Sequence, residues 1–146
     1  MSGQFVLVAE DDTATAKVLW HVLVNTGFDA TIATDGREAW EIAQAMQFDL
    51  IITDYQMPYL NGRELCELLR NSTWYSDTPI ILTTAKCFEL DVRQLQKDYN
   101  LFTVFQKPFS PTKVAKAATQ CLSLHGMSTL SRESAKIPTP PVIPKA

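Results

Sequence analysis

Apolar residues along the chain fall into two alternating patterns: short continuous runs, and longer stretches that repeat every three to four residues. The runs predict buried strands and the repeats predict amphipathic helices. Phe5–Ala9 (F-V-L-V-A) is the first run. Glu10, Asp11 and Asp12 follow at once, with Asp12 placed to cap a helix that starts near Thr13. Val18, Leu19, Val22 and Leu23 then recur at helical spacing, and Gly27 marks the end of that helix. Asp29–Ala33 is a second short strand. The turn Asp35–Gly36 leads into a helix expected to bury Ala39, Ile42, Ala43 and Met46.

The run Leu50, Ile51, Ile52 predicts a third strand, covered on both faces, with Asp54 at its carboxyl end. Pro58, Asn61 and Gly62 mark a loop, and Leu65, Leu68 and Leu69 a helix from about Arg63 to Asn71. The polar connection to Pro79 contains Trp74 and Tyr75, which read as covers for a core edge. Pro79–Thr84 is a fourth strand, with proline acceptable at its first position. Phe88–Tyr99 is weakly amphipathic, with Leu95 and Tyr99 as its inward pair, and is expected to be the least firmly held helix. A fifth strand spans Leu101–Gln106. The last helix spans Pro111–Leu124 and buries Val114, Ala117, Ala118, Cys121 and Leu122.

Five βα units with short connections imply an α/β domain: a doubly wound, five-stranded parallel sheet with helices on both faces. From His125 the apolar periodicity stops, and four prolines (Pro138, Pro140, Pro141, Pro144) cluster near the end. The expected organisation is one domain over residues 4–124 and a disordered, Pro-rich tail over 125–146. With 46% apolar and 20% charged residues, the chain has the makeup of a soluble globular protein. Residues 1–124 carry ten bases and fifteen acids, so the domain offers nucleic acid no general attraction. No basic segment precedes a long apolar one, and no apolar run reaches the ~18 residues of a membrane span. A cytoplasmic protein without membrane contact is expected. Cys66, Cys87 and Cys121 show no metal-ligand spacing and read as reduced thiols.

The strand ends carry the chemistry. In a doubly wound sheet the carboxyl ends share one edge, which brings Glu10, Asp11 and Asp12 near Asp54, Thr84 and Lys107. Singly, each has a plain alternative: Asp12 as a helix cap, Thr84 as a strand residue, Lys107 as a solvated charge. The adjacent acids resist such a reading. Two carboxylates about 4 Å apart repel by roughly 4 kcal/mol at an effective dielectric near 20. One lysine does not offset three of them. A hard divalent cation such as Mg²⁺ fits the set, and with the Lys107 ammonium and the Thr84 hydroxyl it would suit phosphoryl transfer to a strand-tip carboxylate.

The motifs V-L-V-A-E-D-D, D-L-I-I-T-D-Y-Q-M-P, I-L-T-T-A-K and Q-K-P-F together resemble the receiver domain of bacterial two-component response regulators, over about residues 4–124. The resemblance implies the flavodoxin-like (βα)5 fold with strand order 2-1-3-4-5. It implies Asp54 as phosphoacceptor from a sensor histidine kinase or phosphotransfer protein. Asp11 would bind Mg²⁺ directly and Glu10 through water, with Asp54 and the Gln56 backbone carbonyl completing the set. Thr84 would be the switch hydroxyl, Ala85 the small neighbour that keeps the pocket open, and Lys107–Pro108 a cis peptide. Gln56 and Lys86 would flank the path of hydrolytic water. Output would pass to a partner protein or a second copy through the surface of the fourth helix, fifth strand and last helix. Chemistry beyond self-phosphorylation and dephosphorylation is not implied.

One position departs from the pattern. Receivers commonly carry Tyr or Phe three residues before the lysine, and here that residue is Val104. Phe105 should point to the opposite side of the strand. An alternative reading is therefore a pseudo-receiver that binds partners without phosphorylation, although such modules usually lack an acid or the lysine. A dehalogenase-like phosphatase would need an acid where Gln56 stands. A flavodoxin-like cofactor binder would need a phosphate-cradling loop in place of Glu10–Asp12. The 22 residues after Leu124 are too few for an effector domain, so a stand-alone receiver is expected.

Overall fold

The computed structural model describes residues 4–86 and 90–133, the last nine as backbone alone. Strands and helices alternate: β1 (Phe5–Ala9), α1 (Thr13–Thr26), β2 (Asp29–Ala33), α2 (Gly36–Ala45), β3 (Leu50–Asp54), α3 (Gly62–Arg70), β4 (Ile80–Thr84), α4 (Val92–Asp98), β5 (Thr103–Gln106) and α5 (Pro111–Glu133). All strand pairs are parallel, in the order β2-β1-β3-β4-β5. This is the flavodoxin-like arrangement expected from the sequence. The winding reverses between β1 and β3, and a crevice opens there at the carboxyl ends. Register keeps those ends level, with Ala9 beside Thr53, Asp54 beside Thr83 and Thr84 beside Gln106.

Alternation along each strand divides the core into two layers. Leu7, Ile51, Ile80 and Leu82 pack with Ala39 and Ala43 of α2 and Leu65 and Leu69 of α3. Val6, Val8, Leu50, Ile52 and Ile81 pack with Leu19 and Leu23 of α1 and Val114 and Ala118 of α5. Both faces are covered, which is why the central strands read as continuous apolar runs.

Helix ends follow local chemistry. The Asp12 carboxylate accepts the Thr15 N–H at 3.0 Å and so caps α1. Gly27 closes α1 with φ +111, a left-handed angle that glycine adopts without a Cβ clash, and the Phe28 N–H returns to the Leu23 carbonyl at 3.0 Å. Asn61 and Glu64 form a reciprocal capping box on α3, with bonds of 2.9 and 2.8 Å. Gly62, expected in the loop, is the first residue of that helix.

Several expectations need correction. Val18 is 46% exposed and Met46 39%, because the buried stripe of each helix is narrower than its apolar pattern. On α1 it consists of Ala16, Leu19 and Leu23. Helix α4 begins at Val92, shorter than the expected Phe88–Tyr99, and none of its residues is fully buried. Residues 87–89, including Cys87 and Phe88, lie outside the described residues. Leu95 and Tyr99 do pack inward, as partly buried side chains. Helix α5 extends to Glu133, past its expected end at Leu124. Loss of apolar periodicity removes a reason to pack but not a reason to be helical, and no proline intervenes before Pro138. Residues 134–146 lie outside the described residues. Among the described residues, no helix is long and apolar enough to cross a membrane.

Candidate functional site

The residue after β1 and the last residue of β3 are both acidic and both buried: Glu10 is 2% exposed and Asp54 4%. Asp11 beside them is exposed. Carboxylate oxygens of the three residues lie within 4.8 Å of one another. Lys107, just past β5, reaches across the sheet edge. Its Nζ sits 2.8 Å from Glu10 Oε1 and 3.1 Å from Asp54 Oδ2. The other Glu10 oxygen, Oε2, accepts the Asp12 N–H at 3.1 Å.

Burial sets the electrostatics. Desolvation pushes the Glu10 carboxyl up to about 7, helped by the Asp54 charge and opposed by Lys107 and the Asp12 N–H. Asp54 is also raised, again mainly by burial and against the pull of Lys107. Burial alone would lower Lys107, but its ion pairs with Glu10 and Asp54 prevail and hold it above the ordinary lysine value. Two of the three clustered carboxylates therefore share the Lys107 ammonium. Excess negative charge at a water-accessible strand edge, with oxygen donors only, suits a small divalent cation.

Thr84 ends β4 fully buried. Its hydroxyl accepts the Lys86 N–H at 2.9 Å, and its carbonyl accepts the Lys107 N–H at 2.8 Å. The Lys107–Pro108 peptide bond is cis. Ala85 is exposed, and with Lys107 and Pro108 it borders an open hollow of about 550 Å³. Gln56 is exposed on the loop after Asp54, and Lys86 is half-buried. Sequence reasoning thus anticipated Glu10, Asp11, Asp54, Thr84 and Lys107 as neighbours. Val104 stands apart from them. It lies opposite Leu82 and packs into the layer under α2 and α3, while Phe105 packs on the other face beside Phe109. Asp12 serves as a helix cap, and the hydrogen bonds from Thr15 lower its pKa.

Sequence reasoning missed the apolar wall of the hollow, which Val18 and Phe109 line beside Lys107. Val18 falls within the helical repeat of α1, so periodicity assigns it to the core. Only its mismatch with the narrower stripe through Leu19 and Leu23 could have marked it.

Residues 6–119 match the response regulator receiver domain family. A probable transcriptional regulator, ycf29 of Porphyra purpurea, is 34% identical over 143 residues, which cover 94% of this chain and 66% of that protein. The DNA-binding response regulator MtrA of Mycolicibacterium paratuberculosis is 33% identical over 111 residues, covering 76% of this chain and 48% of that protein. The chain thus spans about half to two-thirds of the length of the curated relatives it matches. Among solved structures, the chemotaxis response regulator CheY4 of Vibrio cholerae superposes with a TM-score of 0.73 at 30% identity, covering 82% of this chain and 98% of that one. With these matches and the acid–lysine edge just described, the chain belongs to the response regulator receiver domain family of two-component signalling.

Proposed function

We propose that the protein is a phosphoacceptor, taking a phosphoryl group on Asp54 from a phosphohistidine of a sensor histidine kinase or phosphotransfer protein. The observation that carries this reading is the set of three carboxylates within 4.8 Å, two of them bridged by one ammonium. The donors fit Mg²⁺: Asp11 as a direct, exposed ligand, Glu10 through water, Asp54, and the Gln56 backbone carbonyl. When bound, the ion supplies neutralisation of charge on the transferring phosphoryl oxygens. An Asp54 carboxylate oxygen attacks phosphorus, the P–N bond breaks, and the imidazole leaves with its electron pair. The product is an acyl phosphate. Lys107 would pair with a phosphoryl oxygen, and the Thr84 hydroxyl would donate its proton to another.

New charge at Asp54 would draw Thr84 toward it. Val104 is too short to follow as an aromatic ring would. The response we assign instead is a shift of the segment that starts at Ala85 and of α4, which has no fully buried residue. The altered α4–β5–α5 face would then bind an output protein or a second copy of the chain. DNA binding belongs to the longer relatives by name, and we assign no nucleic-acid contact to residues 4–124, which we take as the receiver unit. Val104 also favours the second reading, a pseudo-receiver that signals without phosphorylation. The complete acid set and Lys107 support the first.

Intact-mass spectrometry after treatment with acetyl phosphate and Mg²⁺ decides between them. The expected product is a single phosphoryl adduct, absent in Asp54→Asn and absent with excess chelator. An unmodified wild-type protein would leave the pseudo-receiver reading standing.

A further inference from the structure

The loop between β3 and α3 contains a strained bend that the phosphoacceptor reading does not use. Tyr59 has φ +71, and the Leu60 N–H bonds the Pro58 carbonyl at 2.8 Å. Together these describe a γ-turn in its left-handed form, which is rare and costly for a bulky side chain. Tyr59 is 69% exposed, so its own burial does not explain the bend.

Three contacts hold the loop in this shape. Arg37, in the first turn of α2, lies over the Tyr59 ring with its guanidinium carbon 4.2 Å from the centroid. Leu60 presses on Gly36 of the same turn, where a Cβ would stand 2.0 Å from the Leu60 carbonyl oxygen. At the far end the Gly62 N–H bonds the Tyr55 carbonyl at 2.7 Å, and a Cβ on Gly62 would stand 2.4 Å from the Asp54 carbonyl oxygen. The loop is thus closed between Tyr55 and Gly62 and pinned at its apex to α2. Gln56 and Met57 lie inside the closed segment.

We infer that the Arg37–Tyr59 pair is a latch that positions the loop for metal binding, so that the Gln56 backbone carbonyl would join Asp54 in holding the ion. The inference rests on the proposed metal site. Arg37 and Tyr59 are positioning residues, acting through the loop backbone. A plain surface role for Arg37 gives the opposite sign. Removing a cation near an acidic site would leave Mg²⁺ affinity unchanged or tighten it, whereas loss of a latch weakens it.

The test is calorimetric titration of the full chain with Mg²⁺, paired with amide exchange at Leu60 measured without metal. Arg37→Ala and Tyr59→Gly are each expected to weaken Mg²⁺ binding by about two- to fivefold, and Tyr59→Phe, which keeps the ring, to leave it unchanged. Tyr59→Gly should melt at or above wild type, since glycine accepts the left-handed angle. Weaker metal binding without lower stability separates positioning from a merely structural role. Unchanged or tighter binding in Arg37→Ala overturns the inference, as does loss of binding in Tyr59→Phe. A wild-type protein that binds no Mg²⁺ overturns the metal reading instead. The Leu60 amide then decides the latch alone: faster exchange in Arg37→Ala sustains it, and equal exchange removes it.

Discussion

The two ends of the sheet handle buried charge in opposite ways. At the carboxyl edge, Glu10 and Asp54 crowd with Asp11 and share the Lys107 ammonium, and both buried acids sit above their ordinary pKa. At the amino edge, the charge is the Arg70 guanidinium, whose pKa burial also pulls down, but whose hydrogen bonds all end on backbone carbonyls. Its Nε donates to the Tyr99 carbonyl at 2.6 Å and its Nη2 to that of Asn100 at 3.0 Å. Its Nη1 donates to the carbonyls of Tyr75 at 2.8 Å and Thr78 at 2.6 Å. One side chain thereby ties α3 to the turns that precede β4 and β5. The Tyr75 hydroxyl beside it accepts the Phe48 N–H and reaches the Ala43 and Met46 carbonyls. Trp74 Nε1 is the exception at this edge, buried without a hydrogen-bond partner among the described residues. Satisfied charge holds the fold together, and unsatisfied charge is available to a ligand.

Removing Arg70 should give the largest effect. Four of its bonds are 3.0 Å or shorter, and at about 1 kcal/mol net for each, Arg70→Ala should lose about 4 kcal/mol of stability in urea titrations. Arg70→Lys should recover little, because an ammonium cannot span two turns with a planar fork. A loss below 1 kcal/mol would mean that water replaces these bonds, and the contrast between the edges would fail.

Glu10 should give the next effect, through pH. Its carboxyl rises from 4.5 to about 7 on folding, so the native state binds more protons than the unfolded chain between those values. The associated stability is present in full below pH 4.5 and is lost as pH rises through 7, by as much as about 3 kcal/mol without metal. Glu10→Gln should flatten this decline. An equal decline in the variant would place its origin elsewhere.

How far the sequence discloses each edge differs for a physical reason. The carboxyl edge is readable because the strand ends are set by continuous apolar runs, and Phe5–Ala9 and Asp29–Ala33 match the observed strands residue for residue. Acids that follow such a run must stand at the sheet's rim, whatever the packing. The amino edge is not readable, because Arg70 finds its partners among backbone carbonyls, and carbonyls carry no sequence signal. Tyr59 is hidden for the same reason: its bend depends on α2 lying against the loop. Periodicity defines the centre of a buried face but not its width, which is why Met46 stands 39% exposed where burial is expected and Val18, within the α1 repeat, 46%.

Mg²⁺ should reverse the imbalance at the carboxyl edge and leave the amino edge untouched. At a hundred times its Kd, a ligand that binds only the native state adds about 2.7 kcal/mol. The gain should survive in Arg70→Ala, whose loss lies at the other end of the strands. A melting temperature unmoved by millimolar Mg²⁺ would contradict a preformed site.

Asp54→Asn should give the smallest change in stability and the most informative sign. A buried carboxylate whose pKa is raised sits in surroundings that disfavour its charge. Replacing it with a neutral side chain of the same shape removes repulsion from Glu10, and Lys107 keeps its 2.8 Å pair with Glu10. The variant should therefore melt slightly above wild type in chelator, although it has lost the proposed phosphoacceptor. With Mg²⁺ the order should invert, because the wild type gains a ligand set that the variant lacks. Residues kept for chemistry commonly cost stability in this way. If Asp54→Asn melts below wild type in chelator, the Asp54–Lys107 pair outweighs the crowding of acids, and the carboxyl edge is as well matched as the amino edge.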